Sequence, residues 1–149
     1  MLRRSTSATR FTNLLLFAIA AATVFTACGR TLGSMVTETM DGCIAARNPV
    51  FKSGAGATAL NTPLPAKVSD VAKKIAYKRA LDGFTQYAET APDQVTLVCA
   101  LELASYYNHG DVAILIWTYL RHPDAGVSVN AKRLLATQDP LPTDRYPVE

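Results

Sequence analysis

A chain of 149 residues, 49% of them hydrophobic, is long enough for one folded domain and too short for two of ordinary size. Its formal charge of +3 lies ahead of position 28, in Arg3, Arg4 and Arg10; from Cys28 onward 12 basic residues face 12 acidic ones. A neutral stretch of that length has no broad basic footprint from which counterion release drives nucleic-acid binding, and nucleic acid is excluded as a partner.

The first element in chain order is a targeting segment. No charge falls between Phe11 and Gly29, the run from Leu14 to Ala20 is strongly apolar, and the three arginines precede it. A basic start, an apolar middle and a small-residue end are the parts of a secretory signal, here residues 1–27. An uncleaved membrane anchor is the alternative, since the uncharged run is nearly long enough to span a bilayer. The end of the segment, Val24-Phe25-Thr26-Ala27-Cys28, resembles the lipobox of bacterial lipoproteins. That resemblance implies cleavage before Cys28, lipidation of its thiol with palmitate-type chains, and a short lipidated tether at 28–33. In lipoproteins of this type an Asp directly after the cysteine retains the protein at the inner membrane. Gly29 in that position implies the inner leaflet of the outer membrane, facing the periplasm.

Two cysteines remain, Cys43 and Cys99. In an oxidising compartment a leftover pair favours a disulfide over two free thiols. Closing a loop of more than fifty residues contributes roughly 4 kcal/mol in the chain-entropy model. The competing reading is two small buried apolar side chains that never meet. Zinc needs closely spaced ligand pairs, and Cys43, Cys99, His109 and His122 include no two within five residues of each other. The sequence therefore calls for no metal and no other cofactor. Cys99, inside Val98-Cys99-Ala100-Leu101, has the surroundings of an inert thiol and not of a nucleophile.

The domain itself reads as residues 34–137. Val36, Met40, Cys43 and Ile44 recur at helical spacing, and Asn48-Pro49 predicts the end of that first helix. Gly54, Gly56, Pro63 and Pro65 mark a long loop at 48–66. A long helix is expected from Ser69 to Glu89. Val68, Val71, Ala72 and Ile75 share one face of it, and Tyr77, Leu81, Phe84 and Ala88 share nearly the opposite one. A continuous helix with two neighbours is preferred here to a bend near Ala76. Thr90 and Asp93 read as a capping-box-like pair before a central helix reaching from Val95 to Tyr107, which Gly110 closes. Asp111 opens the next, Val112 to Leu120, and Pro123 ends it. A last helix, from Val127 to Thr137, carries Val127, Ala131, Leu134 and Leu135 on one stripe. The tail at 138–149, with Pro140, Pro142 and Pro147, reads as extended.

No segment alternates with a period of two, so the fold class is all-α: about five helices packed as helical hairpins. The turn from His122 to Val127 and the run from Asn130 to Ala136 resemble the turn and second helix of a HEAT-type repeat, which implies helical hairpins.

Candidate chemistry is sparse. His109 and His122 occupy turns between helices, where a local hydrogen-bonding role is the ordinary one; His109 is the stronger candidate, with Asp111 two residues on and Tyr106 and Tyr107 before it. Glu102 is the only charge in the central helix and is expected on a wet stripe or beside a basic partner. Tyr106, Tyr107, Trp117 and Tyr119 read as core and rim. Lys67, Lys74 and Lys78, flanked by Lys73 and Arg79, fall along one side of the expected long helix and are the expected partner-binding residues.

With no catalytic constellation, the expectation is a non-enzymatic protein held to the lipid bilayer through Cys28 and binding a periplasmic protein. In architecture and address it resembles the immunity proteins that neutralise wall- or membrane-targeting toxins of secretion systems, and it is similar to entry-exclusion lipoproteins and accessory subunits of envelope machines. The alternative is a small envelope hydrolase using His109 or Glu102.

Overall fold

The structure, a computed structural model, describes residues 33–55 and 60–138. The signal segment at 1–27, Cys28, the tether up to residue 32, residues 56–59 of the long loop, and the tail from residue 139 onward lie outside the described residues. The chain divides into two units, before and after Met35. Only Gly33 and Ser34 of the first are described.

Six α-helices, and no strand, occur among the described residues: α1 (33–52), α2 (Ala66–Ala72), α3 (Tyr77–Glu89), α4 (Gln94–Ala104), α5 (Gly110–Thr118) and α6 (Ala125–Ala136). The all-α class thus holds. None of these helices is long and apolar enough to cross a membrane.

The centre of the fold is α4, in which every residue from Val95 to Ala104 is buried. Its sequence is apolar on all sides, and such a helix is stable only when neighbours surround it. α3 packs along it with Ala80, Phe84 and Ala88, and α6 with the stripe Val127, Ala131 and Leu134. α5 rests mainly on α6 and touches α4, burying Val112, Ala113 and Ile116. Met40 and Cys43 of α1 are fully buried in the same core. α1 and α3 cross closely: a Cβ on Gly83 would lie 2.9 Å from Cγ1 of Val36.

The expected helix from Ser69 to Glu89 is two helices, and the bend near Ala76 is correct. Ala76 is extended (φ −59°, ψ 134°). A helix end leaves carbonyls without intrahelical partners; the Ala72 carbonyl accepts from the Ile75 amide at 3.0 Å, and this end is also met by the Tyr107 hydroxyl, from just beyond α4. It lies 2.8 Å from the carbonyl oxygen of Ile75 and also contacts that of Ala72. Each of the two apolar faces thereby belongs to its own helix.

Other boundaries move for identifiable reasons. α1 continues through Pro49 to residue 52 and shortens the loop. The N–H that Pro49 lacks would have bonded the carbonyl of Ala45, and both residues lie on the exposed side of α1. α4 is capped by Asp93, whose Oδ1 accepts from the Thr96 amide at 2.8 Å. Thr90 instead ends α3, its hydroxyl donating to the Gln86 carbonyl at 2.7 Å. Pro92, directly before the cap, disfavours helical backbone at Ala91 and prevents an earlier start. α4 ends at Ala104, and Gly110, without the positive φ of a closing glycine, is the first residue of α5. α5 finishes at Thr118, ahead of Pro123, and α6 starts behind Asp124, whose Oδ1 accepts from Val127 at 3.0 Å.

Candidate functional site

Tyr77, the first residue of α3, meets the first turn of α5. Its hydroxyl is 2.7 Å from Nδ1 of His109 and 3.2 Å from Oδ2 of Asp111, and the Tyr77 and His109 ring centroids are 4.5 Å apart. His109 is the N-cap of α5: Nδ1 accepts from the Asp111 amide at 3.3 Å. Tyr77 is pushed up to about 12, first by burial and then by its hydrogen bond to Asp111 and the charge of that carboxylate. It therefore remains a hydrogen-bond donor at ordinary pH. The His109 and Asp111 side chains are 53% and 59% exposed, so water screens them and no dry reaction space surrounds the imidazole.

α3 and α5 run in the same direction on this side of the molecule. Tyr77 touches Asp111 where both helices begin, and the charge of Glu89, the last residue of α3, acts on Tyr119 at the end of α5. Between them lies an open groove of about 500 Å³. Leu81, Ile114 and Leu115 give it an apolar lining, and Asp82, Glu89 and Asp111 bring carboxylates to it. The apolar character of α5 has two outcomes: Ile116 is fully buried, whereas Ile114 and Trp117 are 44% and 40% exposed.

The second cluster is buried. Cys43 and Cys99, on α1 and α4, have Cα atoms 5.8 Å apart, within the span of a disulfide. One helical turn further along both helices, Arg47 grips Glu102 at two points. Its Nε donates to Oε2 at 2.9 Å, and a second nitrogen contacts Oε1. Arg47 also donates to Thr62, to the hydroxyl at 3.1 Å and the carbonyl at 2.8 Å, which fastens the end of the long loop. Burial pushes the Glu102 carboxyl up, against the smaller lowering effect of Arg47. Both carboxylate oxygens of Glu102 are engaged by Arg47, and its side chain is only 10% exposed.

The lysines singled out by the sequence are exposed but do not share one helix. Lys67 is in α2, Lys74 in the link after it and Lys78 in α3, so the straight row expected of them is absent. Lys73 sits over the Tyr106 ring, 5.6 Å from its centroid. His122 has a local role: its Nδ1 accepts from the Asp124 amide at 3.2 Å, ahead of α6. Among the described residues no group of three or more His, Cys, Asp or Glu side chains is placed to hold a metal ion.

Sequence reasoning chose His109 and Asp111 but missed Tyr77, which completes their cluster from 32 residues away. It also missed the groove, whose two walls become neighbours only when α3 and α5 flank α4. Comparison with family models, with curated proteins and with solved structures finds no match to this chain.

Proposed function

We propose that this protein is an exported, lipid-anchored binding protein of the bacterial envelope, held through Cys28 in the inner leaflet of the outer membrane and facing the periplasm. It acts by occupying a partner protein, as immunity or inhibitor proteins and accessory subunits of envelope machines do, without catalysing a reaction. The observation that carries the reading is the open groove between α3 and α5, with Ile114 and Trp117 exposed on the same helix. Large apolar side chains left in water on one helix mark contact surfaces more often than they mark reaction sites. His109 supports the same reading: its Nδ1 is used in capping α5, a structural duty. Lys67, Lys74 and Lys78 offer a second, basic contact around the link between α2 and α3.

The test has two arms in intact cells. Cys28→Ser should abolish palmitate labelling and leave an unprocessed precursor; unchanged labelling overturns the anchoring. A photo-cross-linking residue at Ile114 of the lipidated chain should give a discrete protein adduct that the same residue at exposed Lys132 does not. Equal adduct patterns from the two positions overturn the binding surface.

A further inference from the structure

We infer that the groove between α3 and α5 receives a short amphipathic helix of the partner, with its apolar stripe turned inward and lysine or arginine on its flanks. The inference rests on the protein-binding reading above and adds the chemistry of what is bound. The shape is the first argument. Two helices lying side by side, α3 supported by α4 and α5 by α6 and α4, leave between them the furrow into which a further helix packs in a bundle. The nine residues of α5 span roughly 13 Å, the length of two to three helical turns. Helix-in-groove recognition uses apolar anchors at such spacing, and Leu81, Ile114 and Leu115 are set to receive them.

Charge decides what the flanks carry. Asp111 stands at one end of the groove, with His109 3.5 Å from its carboxylate, Asp82 beside its middle and Glu89 at the other end, and among the described residues no lysine, arginine or histidine lines it. Neither Asp82 nor Glu89 has an ion-pair partner among the described residues. An anionic lipid surface or a polyanion would be repelled by these carboxylates. A basic helix would be attracted, and it would meet them with cations about two turns apart, because Asp82 and Glu89 are seven residues apart on α3.

The probes are two synthetic peptides of about fourteen residues, each with leucines at helical spacing on one face; one carries lysines on the flanks and the other glutamates. They are titrated calorimetrically into the full chain in detergent, and the emission of Trp117, its only tryptophan, gives a second readout. The lysine peptide should saturate at least tenfold more tightly than the glutamate peptide, and the double variant Asp82→Asn, Glu89→Gln should lose that preference. Ile114→Ser, at an exposed position, should weaken both peptides. Equal binding of the two peptides, no saturable binding of either, or an unchanged preference in the double variant overturns the inference. So does self-association of the chain that the double variant abolishes, because the occupant is then a second copy. A discrete adduct from Ile114 in cells together with no discrimination between peptides would leave the binding reading standing and remove only the basic helix.

Discussion

Arg47 and Glu102 neutralise each other inside the protein, with side chains only 3% and 10% exposed, one turn beyond the cysteine pair that joins the same two helices. Desolvating two charges costs several kcal/mol, and their attraction offsets that cost only while both are present. Arg47→Met or Glu102→Leu alone should therefore destabilise the protein by about 3–5 kcal/mol, and the double change should cost less than either. Urea unfolding of the three variants measures this. Two single effects that simply add would show that the charges are not coupled.

Cys43 and Cys99 are set for a bridge that closes a sequence separation of 56 residues. Reduction, or either Cys→Ser change, should lower the melting temperature by an amount corresponding to roughly 4 kcal/mol at most, and the oxidised chain should run faster on a non-reducing gel. Alkylation of both thiols in the folded, unreduced protein would refute the bridge.

Tyr77 makes alkaline stability testable. Its folded value, about 12, lies above the ordinary 10.0, so the folded chain holds the phenolic proton more tightly than the unfolded chain does. The resulting stabilisation is whole below about pH 10 and is lost as the pH rises through about 12. Melting temperatures of the parent and of Tyr77→Phe, taken across that window, should converge at high pH because the variant has no such term. Parallel curves would show that Tyr77 contributes nothing there. Tyr106, Tyr107 and Tyr119 are also raised, chiefly by burial, so the difference between the two proteins is the informative quantity.

Gly83 sets two effects against each other. Alanine in a helix interior is favoured over glycine by about 0.5–1 kcal/mol, but a Cβ at position 83 would lie 2.9 Å from Cγ1 and 3.2 Å from Cγ2 of Val36. Valine is stiff at χ1 and cannot swing both methyls away. Overpacking of this kind typically costs about 1–3 kcal/mol, so Gly83→Ala should destabilise and Val36→Ala should relieve it in the double variant. A more stable Gly83→Ala protein would mean that α1 moves away from α3 at little cost.

What the sequence made legible was local. Val95 to Tyr107 reads as a central helix because only Thr96, Glu102 and Ser105 in it are polar, and the all-α class follows from the lack of any segment that alternates with a period of two. Glu102 is conspicuous as the one charge in that helix, yet its partner stands 55 residues away and nothing local selects Arg47. The change of apolar face near Ala76 was legible and left a bend open, but what meets the end of α2 was not: the hydroxyl that reaches its carbonyls belongs to Tyr107, 35 residues from Ala72. Tyr106 and Tyr107 were the aromatic neighbours of His109 in sequence, but Tyr77 is its hydrogen-bond partner. The groove could not be read at all, because it belongs to neither α3 nor α5 alone.

The position of the cysteine pair also bears on how the protein carries mechanical load. With the bridge closed, tension entering at the N-terminal end of α1 passes from Cys43 into Cys99 on the central helix, and the residues between them form a side loop off the line of force. α2 and α3 lie wholly within that loop, so one wall of the groove is not stretched when the N-terminus is pulled. Single-molecule pulling on the oxidised chain should accordingly release a shorter contour length than on the reduced one, because the loop stays closed after the helices have come apart.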